Sequence, residues 1–142
     1  MLTQEPQKIK NLNELEAFTK KLARFLKAQP RPYYLLLTGD LGSGKTTLTQ
    51  YLLRYFGVKG PITSPTFIIL NQYLSTNNSN INHMDAYRLS LNEDLGLYEE
   101  LFENSLNIIE WPERLNLDWK KYPHLQLKIS ITKNQERLIE MR

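Results

Sequence analysis

Apolar positions recur along the chain with two periods, and the switches between them mark the elements. Leu12, Leu15, Phe18, Leu22, Phe25 and Leu26 share one stripe of a 3.6-residue helix. Asn11-x-x-Glu14 ahead of them has capping-box spacing, and Pro30 and Pro32 follow, which predicts a helix over 13–28. Tyr33 to Leu37 is a continuous apolar run and reads as a buried strand. Leu48, Leu52, Tyr55 and Phe56 return to helical spacing, with Gly57 where that helix would stop. Phe67 to Leu74 and Ile81 to Asp85 read as strands joined by the polar turn Ser75 to Asn80. Leu91 to Glu103 reads as mostly helical, with Leu95, Tyr98, Leu101 and Phe102 on one face and Gly96 as an interruption that would split it in two. Leu106 to Glu110 is a short apolar strand, after which Trp111-Pro112 turns away. Leu125, Leu127, Ile129 and Ile131 alternate with polar residues as a half-buried strand, Lys133 to Gln135 is a turn, and Arg137 to Met141 closes the chain as a strand. Gln7 to Lys10 reads as a short opening strand.

Strands alternating with helices predict an α/β fold, one domain over residues 1–142. The segment between the first apolar run and the second helix adds chemistry. Gly39-x-x-x-x-Gly44-Lys45-Thr46 is a complete Walker A pattern, placed after a strand and before a helix as phosphate binding requires. Glycines let the backbone fold around an anion, the amides from about Gly42 to Thr47 point at one spot, and the helix dipole adds positive potential there. Asp40, Leu41, Gly42, Ser43, Gly44, Lys45, Thr46 and Thr47 are the candidate nucleotide-binding residues. Lys45 supplies a full charge for the outer phosphates, and the Thr46 hydroxyl is placed to ligate Mg²⁺. The expected architecture is therefore a single P-loop domain. Its central, mostly parallel sheet is flanked by helices and ends in antiparallel strands.

Hydrolysis also needs metal charge compensation and a water in line with the γ-phosphate. Carboxylates at the C-terminal ends of strands are where an α/β sheet supplies both. Asp85 and Glu110 stand at such ends, Glu110 after a run resembling a Walker B strand with Glu for the usual Asp. The alternative for each is a strand cap, or a pair with Arg88 or Arg114. Thr63, Ser64 and Thr66, in a loop rich in Gly and Pro, are either γ-phosphate sensors or turn-forming hydroxyls. Trp111 is a packing anchor, part of a docking surface or a neighbour of the nucleotide; Tyr87 and Arg88 have the same alternatives, with Arg88 also able to pair with phosphate or a partner carboxylate, and His83 is read as packing or hydrogen-bonding within its own strand.

Composition removes several classes. With no cysteine among 142 residues, disulfides, thiolate zinc sites and cysteine nucleophiles are excluded. The two histidines, His83 and His124, lie far apart in sequence and imply no metal cluster. No apolar run is long enough for a membrane helix, and Met1 to Lys10 lacks the apolar core of a signal peptide, so a cytoplasmic protein without membrane contact is expected. The net charge of +3 is scattered and does not argue for direct nucleic-acid binding.

The motifs together resemble one family, the bacterial TsaE (YjeE) ATPases of tRNA threonylcarbamoyladenosine synthesis. The matching segments are Gly39 to Thr47, Thr63-Ser64-Pro65-Thr66-Phe67, His83-Met84-Asp85-Ala86-Tyr87-Arg88 and Ile109-Glu110-Trp111-Pro112-Glu113, in order and at matching spacing over nearly the whole chain. The P-loop is shared by many families; the other segments make the resemblance specific. It implies ATP and Mg²⁺ as cofactors. It also implies ATP hydrolysis that is weak until the protein docks on a TsaB–TsaD heterodimer, with tRNA contacted indirectly. By the same resemblance Lys45, Asp85 and Glu110 are catalytic, Thr46 and Glu110 hold the metal, and Asp85 orients water or acts as base. Arg137 is a nucleotide contact in a region, after Lys133, that diverges from the family. Ser43 stands where the family usually has Ala.

Three rival readings remain. A small-molecule P-loop kinase would need an acceptor pocket and an Arg-rich lid, and the basic residues here are diffuse. A GTPase would need a carboxylate to accept the guanine N–H groups, but Thr132-Lys133-Asn134-Gln135 ends in an amide. A non-catalytic module, docking in a nucleotide-dependent way, would use the same binding residues.

Overall fold

The computed structural model describes residues 2–40, 42–63, 70–89 and 95–142. Asn11 separates the first strand, β1 (Gln7–Ile9), from the first helix, α1 (Leu12–Lys27). Its Oδ1 accepts the Glu14 N–H at 2.9 Å. Glu14 Oε1 reaches back to the Lys10 N–H at 2.9 Å, one residue earlier than a strict capping box. β2 (Tyr33–Thr38) leads into α2 (Lys45–Tyr55), which ends where Gly57 N–H bonds Arg54 O and Val58 N–H bonds Leu53 O, a Schellman closure. There follow β3 (Leu70–Leu74), β4 (Asn80–Asp85), α3 (Gly96–Phe102), β5 (Leu106–Glu110), β6 (His124–Ile131) and β7 (Arg137–Met141).

Among the described residues the strands form one sheet in the order β1-β7-β6-β2-β5-β4-β3. The four central strands, β6, β2, β5 and β4, are parallel. β3, β7 and β1 add antiparallel pairings at the two edges. The expected architecture is thus present, with β2, the strand that feeds the glycine turn, at the centre.

Alternation along β2 builds two cores. Tyr33, Leu35 and Leu37 face α1 and α2, packing with Leu22, Leu26, Leu48 and Leu52. Tyr34 and Leu36 face the opposite side with Met84, Ile109 and Phe102. Among the described residues that side carries the seven-residue α3 and two short 3₁₀ turns, Pro112–Arg114 and Trp119–Lys121. Aromatic packing supplements them: the Tyr34 ring lies 5.4–5.7 Å from those of Phe102, Trp119 and Tyr122.

Burial, helped by Tyr122, Glu99 and Glu103, pushes the Tyr34 hydroxyl up to about 12. The folded state therefore keeps a proton that the unfolded state releases near pH 10. Stability is full below pH 10 and falls as pH rises towards 12. Denaturant melts across that window are expected to show a shallower loss for Tyr34→Phe than for the wild-type chain; identical pH slopes would contradict this.

One expectation of the helical pattern needs correction. Leu12 does not join the buried α1 stripe: at the first helical residue it is 61% exposed and borders an open cavity, and the buried positions begin at Leu15. Gly96, expected to divide the predicted helix, is the first residue of α3. The earlier part of that predicted helix, 91–94, and residues 67–69 of the predicted third strand lie outside the described residues.

Candidate nucleotide site

The site forms because three chain segments leave the parallel strands at the same end of the sheet. Leu37, Glu110 and Asp85 are in register across β2, β5 and β4. Odd-numbered side chains of β4 and even-numbered ones of β5 face the α2 side, so His83, Asp85 and Glu110 share that face with the start of α2.

The turn from β2 to α2 needs its glycines. A Cβ on Gly39 would lie 2.3 Å from the Ile129 carbonyl oxygen, and its φ of +146° is one that L side chains rarely adopt. Gly44 caps α2 in the left-handed region, and its α-carbon is covered by the Arg137 side chain. The first α2 hydrogen bond is Leu48 N–H to Gly44 O. The amides of Gly44, Lys45, Thr46 and Thr47 consequently have no acceptor among the described residues. Beside them, Ser43 Oγ is buried without a partner among the described residues. An arc of unused donors and an orphaned hydroxyl at a helix start fit a phosphate chain.

Lys45 is 5% exposed. Its Nζ donates to Gly39 O and lies 3.5 Å from Asp40 O, with the Trp111 ring centroid 4.2 Å away. Burial lowers the ammonium's affinity for its proton; Glu110, Asp85, Glu113 and Asp40 oppose that. Trp111 reaches Lys45 because the chain bends sharply after Glu110. Trp111 itself is in the left-handed region, φ 59°, with its N–H on Leu37 O at 3.3 Å. Its other neighbour is Tyr87, at 4.9 Å between ring centroids, and Arg114 lies over Tyr87.

The two carboxylates differ in environment. Glu110 is buried and takes a 2.6 Å hydrogen bond from His83 Nε2. His83 is packed in the interior, one of its two expected roles, but its hydrogen bond runs across the sheet to Glu110 and not within its own strand. Asp85 is half-buried, and its Oδ1 accepts the Tyr87 N–H at 3.0 Å. Among the described residues neither forms an ion pair with Arg88 or Arg114. Thr46 sits half-buried in the first turn of α2, its hydroxyl without a hydrogen bond among the described residues.

Thr63 is exposed and held against β3 by Asn71 and Tyr73, so it stands at the sheet edge. Ser64, Thr66 and Leu41 lie outside the described residues. Arg137, which sequence reasoning reached only through resemblance, lies beside the turn because the β6–β7 hairpin folds back over Gly44. A cavity of about 200 Å³ opens there, lined by Leu12, Ser43, Gly44, Thr47, Gln135 and Arg137 among others. Strand parity could have flagged His83 as a neighbour of Asp85's face. Nothing in the sequence marks Trp111 as the partner of Lys45.

The fold and this turn define a P-loop nucleotide-binding α/β domain. The profile of the threonylcarbamoyl adenosine biosynthesis protein TsaE matches residues 9–139. A Synechocystis protein described as tRNA threonylcarbamoyladenosine biosynthesis protein TsaE is 40% identical over 111 residues, 74% of this chain and 68% of that protein. One from Rickettsia typhi with the same description is 36% identical over 134 residues, covering 91% and 88%. For several other relatives of that description the alignment covers less than two thirds of the relative's length, down to 53%. The crystal structure of Bacillus subtilis YdiB superposes with a TM-score of 0.70 at 31% identity, over 99% of this chain and 86% of that one. The chain belongs to the TsaE family, whose description is threonylcarbamoyl adenosine biosynthesis. Among the described residues no helix is long and apolar enough to cross a membrane.

Proposed function

We propose that this chain is an ATPase that binds and hydrolyses Mg-ATP in support of tRNA threonylcarbamoyladenosine modification, together with a partner pair of the TsaB–TsaD type. The observation that carries the nucleotide reading is the arc of acceptor-free amides from Gly44 to Thr47, with buried Lys45 and Glu110 beside it. Asp40 to Thr47 would cradle the phosphates, and Arg137 would lie towards the base. Lys45 would exchange its bond to Gly39 O for the outer phosphates, a short move for a compact ammonium. Thr46 and Glu110 are the residues that would hold Mg²⁺: their oxygens are hard donors, as that ion requires. When bound, Mg²⁺ supplies charge neutralisation on the phosphoryl oxygens. Asp85, more exposed than Glu110, is left to orient or deprotonate the attacking water. Trp111 covers Lys45, and Tyr87 packs against Trp111.

A second reading has one observation in its favour. The Asp85 oxygen engaged by the Tyr87 amide gives that residue a turn-capping role, as a non-catalytic docking module would have. Phosphate release from Mg-ATP, measured with and without a purified TsaB–TsaD type pair, separates the two. Slow release alone and a clear rise with the pair are expected. Release at background in both conditions would favour the docking module, and tighter binding of GTP than ATP would overturn the ATPase reading.

A further inference from the structure

Glu110 poses a physical problem that the nucleotide reading leaves open. It is a carboxylate at 4% exposure, in a strand whose every residue is buried. Such a group needs a donor. Lys45 is near but spends its ammonium on Gly39 O and Asp40 O and faces the Trp111 ring. The hydrogen bond that Glu110 does receive comes from His83, itself 1% exposed. Because a carboxylate only accepts, the proton of that bond is on Nε2.

The register explains why this pair forms. His83 stands opposite Ile108, so Glu110 is its diagonal neighbour on the next strand, one pleat nearer the glycine turn. A glutamate is long enough to lean back to the imidazole from there, whereas an aspartate is one methylene shorter. This gives a reason for Glu where Asp is usual. The bond occupies Oε2, and Oε1 makes no hydrogen bond among the described residues.

We propose that His83 is a positioning residue for the divalent cation: its Nε2–H holds Glu110 Oε2, so that the carboxylate offers a single, fixed oxygen, Oε1, to the metal. The inference rests on the reading of Glu110 as a metal residue. Outer-shell partners that orient ligating side chains typically carry about 10–100-fold in metal affinity. His83 Nδ1 is buried without a partner among the described residues, so among these the imidazole's one side-chain bond is to Glu110.

The test measures Mn²⁺ affinity of the ADP complex by electron paramagnetic resonance of the free ion, in wild type, His83→Leu, His83→Gln and Glu110→Gln. ADP affinity in EDTA and a thermal melt accompany each. A glutamine puts an N–H near the Nε2 position; a leucine fills the space without a donor. Expected is an about 10–100-fold weaker Mn²⁺ affinity in His83→Leu, recovered in His83→Gln, with ADP binding in EDTA unchanged. If His83→Leu binds Mn²⁺ like wild type while Glu110→Gln does not, the positioning role is wrong and the metal role of Glu110 stands. If Glu110→Gln also binds Mn²⁺ normally, the metal reading falls and this inference with it. Should His83→Leu not fold, nitrogen-15 spectra of the wild-type histidines decide, with His124→Gln for assignment. The His83 proton must remain on Nε2, protected from exchange, before and after Mg-ADP is added; its loss or transfer to Nδ1 overturns the proposal.

Discussion

In a Lys45→Ala chain, ATP hydrolysis falls by about 10²–10³-fold, equivalent to about 2.7–4 kcal/mol of lost transition-state stabilisation. The size follows from where the ammonium sits. Lys45 opens α2, where the four acceptor-free amides already concentrate positive potential, and it is removed from bulk water. Glu110, Asp85, Glu113 and Asp40 all contribute negative potential at its position. With Lys45 gone, the amides and the metal alone offset the repulsion between those carboxylates and the phosphates. Alanine therefore removes an attraction and exposes a repulsion. Lys45→Arg is not a rescue, since a planar guanidinium does not fit between the Gly39 carbonyl and the Trp111 ring as a compact ammonium does. Steady-state phosphate release and calorimetric ATP affinity check the claim; wild-type turnover in Lys45→Ala would refute it.

How far this site could be read beforehand depends on the separation of its parts along the chain. The glycine turn was fully legible, because strand, turn and helix are consecutive and each constrains the next. So were β5, β7 and the α2 stop, where apolar period and glycine agree. Asp85 and Glu110 could be named as strand-end carboxylates. Their adjacency could not, because it depends on β4 pairing with β5 in one particular register. The same gap hid the His83–Glu110 bond, which needs both that register and strand parity. The Trp111–Lys45 contact was hidden more deeply. It exists only because the backbone after Glu110 takes a left-handed turn that a tryptophan seldom adopts. Leu12 shows the opposite failure: periodicity assigned it to the core, but a stripe does not say at which turn of the helix close packing begins.

Asp85→Asn is expected to leave the thermal melt and ATP affinity near wild type while hydrolysis drops by about 10²–10⁴-fold, the range for a positioned general base. The choice of asparagine is dictated by the Tyr87 amide. An alanine at 85 removes both the acidic oxygen and the acceptor for that N–H, so it confounds catalysis with loss of the turn. Asparagine keeps an acceptor of the same reach and removes only the charge and basicity. Asp85→Ala should likewise retain ATP binding and lose turnover, with an added loss of stability from the uncapped turn. If Asp85→Asn hydrolyses ATP like wild type and only Asp85→Ala fails, the carboxylate acts through the turn. Glu110→Gln supplies the contrast. An amide oxygen can still accept from His83, but the negative charge for a cation is gone. Its defect should therefore appear as a shifted Mg²⁺ requirement, whereas the Asp85 defect persists at every Mg²⁺ concentration. Two carboxylates in register at adjacent strand ends can thus be told apart because one is held by an imidazole in the interior and the other by a backbone amide at the rim.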